Sequence, residues 1–130
     1  MLFIEKILQY RQNRLYFTTV LVSLTYIKLR SPLKFFGFSN IAFQVLQQLK
    51  TSQCKVYKTK GGLQTHYTLS GWENEVQMNT FTRNAAHLKA MKQSAELAKE
   101  IRTLTYEADD FPDWKTAKKL LFEKGKVLSF

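Results

Sequence analysis

Two histidines, His66 and His87, are the side chains in this sequence best suited to move a proton near neutral pH. The apolar residues around His87 recur every three or four positions, as on one face of a helix: Met78, Phe81, Ala85, Leu88 and Met91. A histidine at the edge of such a face either makes a structural hydrogen bond or acts as a general base on a bound molecule. The structural hydrogen bond is the commoner of the two roles for a histidine in this position, and the general base is the functional alternative.

His66 lies on the polar face of a predicted strand, together with Thr68, Ser70 and Trp72. A solvated or hydrogen-bonded histidine is the ordinary interpretation there, and contact with a ligand is the alternative. Neither histidine has Cys, Asp or Glu at ligand spacing, which disfavours zinc. The sequence also lacks a phosphate-binding glycine motif and a nucleophile elbow.

The elements that must position His87 begin with a capping-box spacing, because Ser70 precedes Glu73 by three residues and predicts a helix start. We expect this helix to run to about Lys99, with a break near Asn84. Residues 17–29 are rich in β-branched and aromatic side chains and predict a central strand. One face of that strand carries Val20, Val22, Leu24 and Tyr26. The other carries Leu21, Ser23, Thr25 and Ile27, a mixture suited to line a cavity.

Three further segments complete the core. Ser31-Pro32 predicts the start of a helix that runs to about Lys50. Residues 54–60 and 63–71 form a hairpin around a two-residue Gly61-Gly62 turn. Residues 101–107 form a last strand.

Helices are predicted at both ends of the chain. Asp113 caps a short helix that ends near Gly125. The amphipathic stretch 1–14 forms a helix that docks on the domain or on a partner chain, with a membrane-surface anchor as the competing interpretation.

Without its two end helices, the order of elements is βαββαβ, which predicts an α+β ferredoxin-like plait. We expect a single domain over residues 1–130, with an N-terminal helix at 1–15, the core at 17–107 and a C-terminal helix at 113–125. The sheet face opposite the two helices needs a cover, and a second copy of the chain is the commonest one. A homodimer is therefore predicted.

The net charge of +10 is uneven, since residues 1–72 hold ten Lys or Arg and only Glu5. These cations are scattered, so a solvated surface is favoured over specific nucleic acid binding. A single cysteine, Cys54, fits a reducing compartment, and we expect a cytoplasmic location. The apolar runs are interrupted by polar residues, which predicts no transmembrane segment, and the N-terminus is a poor signal peptide.

Several short motifs resemble one family: L-R-S-P after the first strand, L-S-G-W-E-N-E after the hairpin, then M-x-x-F and A-H-L-K-A-M. They resemble the spheroidene monooxygenase-like branch of the antibiotic biosynthesis monooxygenase superfamily, over roughly residues 17–107. The resemblance implies a dimeric α/β barrel that acts on a hydrophobic, partly aromatic small molecule between sheet and helices. It also implies a monooxygenase that is cofactor-independent or haem-linked, although many members have no known activity.

We expect His87 to be the catalytic base, with contacts to the ligand from five other side chains: Trp72, Tyr26, His66, Phe81 and Met91. The resemblance to the haem-degrading members is poorer. Their catalytic tryptophan would fall at Phe81 and their iron-binding histidine at Met91, so both are missing. We therefore expect no metal ligand and no haem breakdown, with haem binding as a lesser alternative. The alternative to an enzyme is a non-enzymatic small-molecule-binding or dimeric interaction module.

Overall fold

The computed structural model describes residues 19–130, so the helix predicted for residues 1–14 lies outside the described residues. Five strands form one antiparallel sheet in the order β2-β3-β1-β4-β5. Their bounds are Val20–Leu29 for β1, Val56–Gly61 for β2, Thr65–Trp72 for β3, Ala98–Ala108 for β4 and Lys126–Ser129 for β5. Strand β5 was not predicted.

Four helices pack on this sheet: α1 (Phe35–Thr51), α2 (Glu75–Thr82), α3 (Ala85–Leu97) and α4 (Trp114–Lys124). A short 3-10 turn, Pro32–Lys34, leads into α1. The predicted ferredoxin-like α+β fold is confirmed. No helix among residues 19–130 has the length and apolar character needed to cross a membrane.

The two faces of the sheet have different covers. On one face Val20, Val22, Leu24 and Tyr26 of β1 form a buried cluster. Helix α4 covers this cluster, with Ala117 and Leu121 fully buried against it. The expectation that this face is left bare for a second copy is therefore wrong. The other face lies under α1, α2 and α3.

The helix start predicted at Ser70 is wrong, because residues 70–72 belong to β3. Gly71 pairs with Val22 and Trp72 is almost fully buried, so the strand ladder and burial outweigh the local capping signal. Helix α2 begins instead at Glu75, where the Asn74 side chain accepts a hydrogen bond from the Gln77 amide at 2.9 Å. The predicted break at Asn84 is confirmed, and its side chain accepts from the Ala86 amide at 2.8 Å.

The predicted two-residue Gly61-Gly62 turn is also wrong. Gly61 is the last residue of β2 and pairs with His66, so residues 62–64 connect the two strands. None of the glycines in the described part of the chain has a positive φ. Gly61 is required for another reason: a Cβ there would collide with the Thr65 carbonyl and come within 2.9 Å of the His66 Cα.

Candidate functional site

A cavity of about 550 Å³ lies between the sheet and helices α1, α2 and α3. This volume falls in the range that holds small organic ligands in proteins. Its helix-side wall is mostly apolar: Phe38, Ile41, Ala42, Val45, Leu46, Leu49, Met78, Phe81 and Met91. The opposite wall is the sheet, and its chemistry is different.

The sheet wall carries two rows of hydroxyl side chains that cross three neighbouring strands. In one row Ser23 of β1 pairs with Ser70 of β3 and Thr105 of β4. In the next row Thr25 pairs with two threonines, Thr68 and Thr103. All six line the cavity. A flat molecule lying on this wall would meet hydroxyl donors and acceptors below and apolar side chains above.

Sequence reasoning expected a mixed face on β1 but missed these rows. A signal existed, because each of the three strands contains two hydroxyl residues spaced two apart. The alignment of the three pairs depends on strand register, which brings together residues up to about 80 positions apart in the chain.

His87 projects from the first turn of α3 into the cavity. Its Nδ1 is buried and has no hydrogen-bond partner among the described residues. The imidazole packs against Phe81, with ring centroids 4.6 Å apart. Burial lowers the pKa of His87 below its usual value of 6.5, so the ring is neutral at pH 7. A purely structural role for His87 would require a hydrogen bond from its ring to the backbone, and Nδ1 makes no such bond within residues 19–130.

His66 also lines the cavity, from the start of β3. Its ring lies 4.5 Å from that of Phe38 and is stacked on Phe35 at 5.8 Å. The Nε2 atom is buried without a hydrogen-bond partner in the described chain, and burial lowers the pKa of His66. The cavity therefore contains two neutral imidazoles, each packed on phenylalanine and each with one unpaired nitrogen.

The two histidines mark opposite ends of the cavity. Trp72 lies six residues beyond His66 on β3, a distance of roughly 20 Å along a strand. Its ring packs against Phe81 with centroids 5.4 Å apart, and Phe81 in turn contacts His87. The Trp72 Nε1 donates to the Ser70 hydroxyl at 3.0 Å, which fixes the indole beside the hydroxyl rows.

Of the six predicted site residues, the structure brings together five around this cavity: His66, Trp72, Phe81, His87 and Met91. The predicted position of Tyr26 at the site is wrong. It lies on the opposite sheet face, with its ring 5.0 Å from Tyr67 and 5.1 Å from Phe122. Burial, followed by the neighbouring Tyr67, raises the pKa of Tyr26. Its alternation with Val22 and Leu24 places it away from Ser23 and Thr25, and therefore outside the cavity.

Metal coordination by several side chains finds no support in residues 19–130. Within this range no group of three or more His, Cys, Asp or Glu side chains is placed to hold a metal ion. Cys54 is buried beside Leu49 and Trp72 but does not line the cavity, and its Sγ donates to the Val56 carbonyl at 3.1 Å.

No protein-family model and no curated protein matches the sequence. Solved structures do match the fold. A candidate antibiotic biosynthesis monooxygenase from Deinococcus radiodurans has a TM-score of 0.63 and 15% identity, over 72% of this chain and 96% of that one. Another from Nitrosomonas europaea has a TM-score of 0.60 and 11% identity, over 68% of this chain and 89% of that one.

A dimeric ferredoxin-like protein of unknown function from Thermobifida fusca has a TM-score of 0.61 and 10% identity, over 72% of this chain and 96% of that one. The chain shares the fold of these proteins. At such identities the likeness supports the resemblance to the antibiotic biosynthesis monooxygenase superfamily at the level of fold. Placement in the spheroidene monooxygenase-like branch stays a prediction.

Proposed function

We propose that this protein is a monooxygenase of the antibiotic-biosynthesis type that acts on a hydrophobic, partly aromatic small molecule. The observation that carries the proposal is the cavity itself: an apolar helix wall, a sheet wall that carries six hydroxyl side chains, and two imidazole side chains, His66 and His87, on its lining. The hydroxyl side chains of the sheet wall can donate and accept hydrogen bonds, and the apolar helix wall can cover the faces of an aromatic ligand. The shared fold with candidate monooxygenases adds support.

His87 is the proposed general base. Because burial keeps the imidazole neutral, the His87 ring can accept a proton from a phenolic or similarly acidic group of the ligand. The rings of Phe81 and Trp72 would hold an aromatic ligand beside it. His66, at the other end of the cavity, would bind a second polar group of the ligand.

The proposed reaction uses no bound cofactor, so the deprotonated substrate must reduce dioxygen itself. Oxidation of an activated methylene carbon to a carbonyl supplies the four electrons required. One oxygen atom enters the substrate, and the other leaves as water with the two hydrogens removed from carbon. The protein then contributes proton removal, orientation and exclusion of solvent.

Haem breakdown is not part of the proposal. Phe81 and Met91 both line the cavity, so the two positions that resemble the degraders' essential residues are in the site but carry other side chains. Phenylalanine offers no indole, and a thioether is a weak ligand compared with imidazole. These side chains do not fit that chemistry.

We also propose that the protein is a homodimer in the cytoplasm. One fold relative is a dimeric ferredoxin-like protein, which supports the first part. Since α4 already covers the second sheet face, the surface for a partner copy would be the exposed apolar side chains beside it, Phe122, Val127 and Leu128. Light scattering tests this directly: a mass of about 30 kDa supports the dimer, and 15.2 kDa contradicts it.

Dioxygen consumption tests the catalytic proposal. Wild-type protein, His87→Gln and the control Lys89→Gln, an exposed position on the same helix, would be assayed with a panel of phenols and anthrones. We expect His87→Gln to lower the rate by about 10² to 10⁴ and Lys89→Gln to leave it unchanged. Glutamine should cost less than about 2 kcal/mol of stability, because Nδ1 has no bond to lose.

The panel also separates the two candidate functions. Ligand-induced thermal stabilisation without oxygen uptake would favour the non-enzymatic binding module. Neither turnover nor stabilisation with any compound would contradict both.

A further inference from the structure

One end of the sheet exposes large apolar side chains. At this end β1 finishes, the β2–β3 hairpin turns and β4 begins; we refer to residues 28–36, 60–65 and 96–100 as the hairpin end. Leu33 is 79% exposed, Phe36 73% and Leu63 60%. Three such residues in one place form a patch, which single exposed apolar residues do not.

Backbone contacts hold the pieces of the hairpin end together. The Leu29 amide donates to the Gln64 carbonyl at 2.8 Å, and the Gln64 side chain donates back to the Leu29 carbonyl at 3.1 Å. The Arg30 amide donates to the Leu97 carbonyl at 3.0 Å. The apolar residues are therefore presented by a fixed part of the fold.

The patch is surrounded by positive charge. Four cations of the hairpin end are exposed: Arg30, Lys34, Lys60 and Lys99. Glu96 is exposed here too, whereas Glu100 is neutralised by Arg102 at 3.0 Å. The opposite end of the sheet holds most of the carboxylates: Glu73, Glu75, Glu107, Asp109, Asp110 and Asp113. Lys55 pairs with Glu73 at 2.9 Å at that end, and the remaining carboxylates there still leave the apolar patch at the more basic end of the sheet.

Charge decides which partner fits this surface. A second copy docked through the same end would bring cations against cations. Residues 1–18 carry Lys6, Arg11 and Arg14 against Glu5, so they have the same sign as the patch. A nucleic acid would attract the cations and could stack a base on Phe36, but it would gain little from the aliphatic side chains of Leu33 and Leu63. An anionic lipid bilayer complements both features, since its surface is negative and its interior apolar.

We propose that the hairpin end is a docking surface for an anionic membrane. Leu33, Phe36 and Leu63 enter the boundary between headgroups and acyl chains, while Arg30, Lys34 and Lys60 contact lipid phosphates. The flexible stems of lysine let the apolar residues insert while the charges stay at headgroup level. The surface does not depend on any ligand of the cavity, so it stands apart from the proposed function.

Cosedimentation with large vesicles tests the proposal. One set contains phosphatidylcholine only, and the other includes about one quarter phosphatidylglycerol. We expect wild-type protein to sediment with the anionic vesicles, with a partition coefficient about tenfold higher than with the neutral ones. The double substitution Leu33→Ser/Phe36→Ser should lower partitioning to the anionic vesicles by about tenfold.

Two controls make the result specific. Val76 is 76% exposed but lies at the carboxylate-rich end, so Val76→Ser should partition like the wild type. His87→Gln should also leave membrane binding unchanged. Lys34→Glu/Lys60→Glu should weaken binding, and more so at low salt than at high salt.

Four results would overturn the proposal. Absence of sedimentation with either vesicle would show that this surface binds no membrane. Equal partitioning of wild type and Leu33→Ser/Phe36→Ser would place any lipid contact elsewhere in the chain. A loss of oligomer mass in that variant would assign the patch to a second copy. Equal sensitivity of Val76→Ser would show a general surface effect.

Discussion

The two faces of the sheet use the same strands for different purposes. Under α4, Val22, Leu24 and Leu69 are fully buried and form one cluster with Ala117 and Leu121. Under α1, α2 and α3, Ser23 and Thr25 face a cavity of about 550 Å³. Alternate residues of β1 thus belong to a packed core and to a candidate binding site.

Side-chain volume explains the difference. Branched aliphatic residues on the α4 face are buried against the helix, as in the close-packed interiors of proteins. On the other face short hydroxyl side chains stand opposite the helices and leave room between the two walls. We infer that the α4 face stabilises the fold, whereas the face under α1, α2 and α3 is less densely packed and leaves room for a ligand.

Truncation on the packed face should have the largest effect. Leu24→Ala should lower the free energy of unfolding by about 2–5 kcal/mol, because Leu24 is fully buried and the cavity it leaves cannot collapse completely. The adjacent Thr25→Ala should cost less than about 1 kcal/mol, since Thr25 already borders open space. Urea denaturation measures both. Equal losses of unfolding free energy in Leu24→Ala and Thr25→Ala would contradict the proposed difference between the two faces.

Replacing a small buried residue with leucine tests the same difference between the two faces by adding volume instead of removing it. Ala117→Leu adds volume to a fully buried position and should cost about 1–3 kcal/mol through overpacking. Ser94, which is also buried, lines the cavity, so Ser94→Leu can extend into free space and should change stability by less than about 1 kcal/mol. Thermal unfolding of the two variants compares them. A severe loss for Ser94→Leu would mean that the cavity does not accept added volume.

The smallest expected effect is a pH dependence of the cavity face. Folding lowers the pKa of both His66 and His87 below 6.5, so the unfolded chain binds protons more readily in mildly acidic solution. Stability should therefore be full above pH 6.5 and should fall as pH drops below it. The melting temperature of His66→Gln/His87→Gln should vary less than that of the wild type between about pH 7 and pH 5.5. If the melting temperatures of the two proteins depended on pH in the same way, the conclusion that the imidazoles are buried and neutral would be contradicted.

Much of this fold could be predicted from periodicity. The alternation in β1, the helix break at Asn84 and the Asp113 cap of α4 are local signals, and the structure confirms them. Strand β5 was missed because four residues, Lys126–Ser129, carry too little pattern, and their pairing with β4 is a tertiary event. The Ser70 capping signal failed because burial of Trp72 extended β3.

Part of the candidate site could also be predicted from local periodicity. His87 and Met91 lie four residues apart on α3, so their meeting in one cavity follows from local geometry, whereas Phe81 reaches the cavity from α2. Tyr26 was assigned to the site although its alternation with Leu24 already indicated the opposite face. The hydroxyl rows required the register of three strands, which no local pattern specifies.

We propose that the cavity under α1, α2 and α3 binds a hydrophobic aromatic molecule. The most direct measurement is a fluorescence titration of a hydroxynaphthalene with wild type, with Ser94→Leu and with the exposed control Lys89→Leu on the same helix. Filling the cavity should weaken binding by about tenfold or more, equivalent to at least ~1.4 kcal/mol, while the control keeps wild-type affinity. Equal affinity in all three proteins, or no binding to the wild type, would contradict the account.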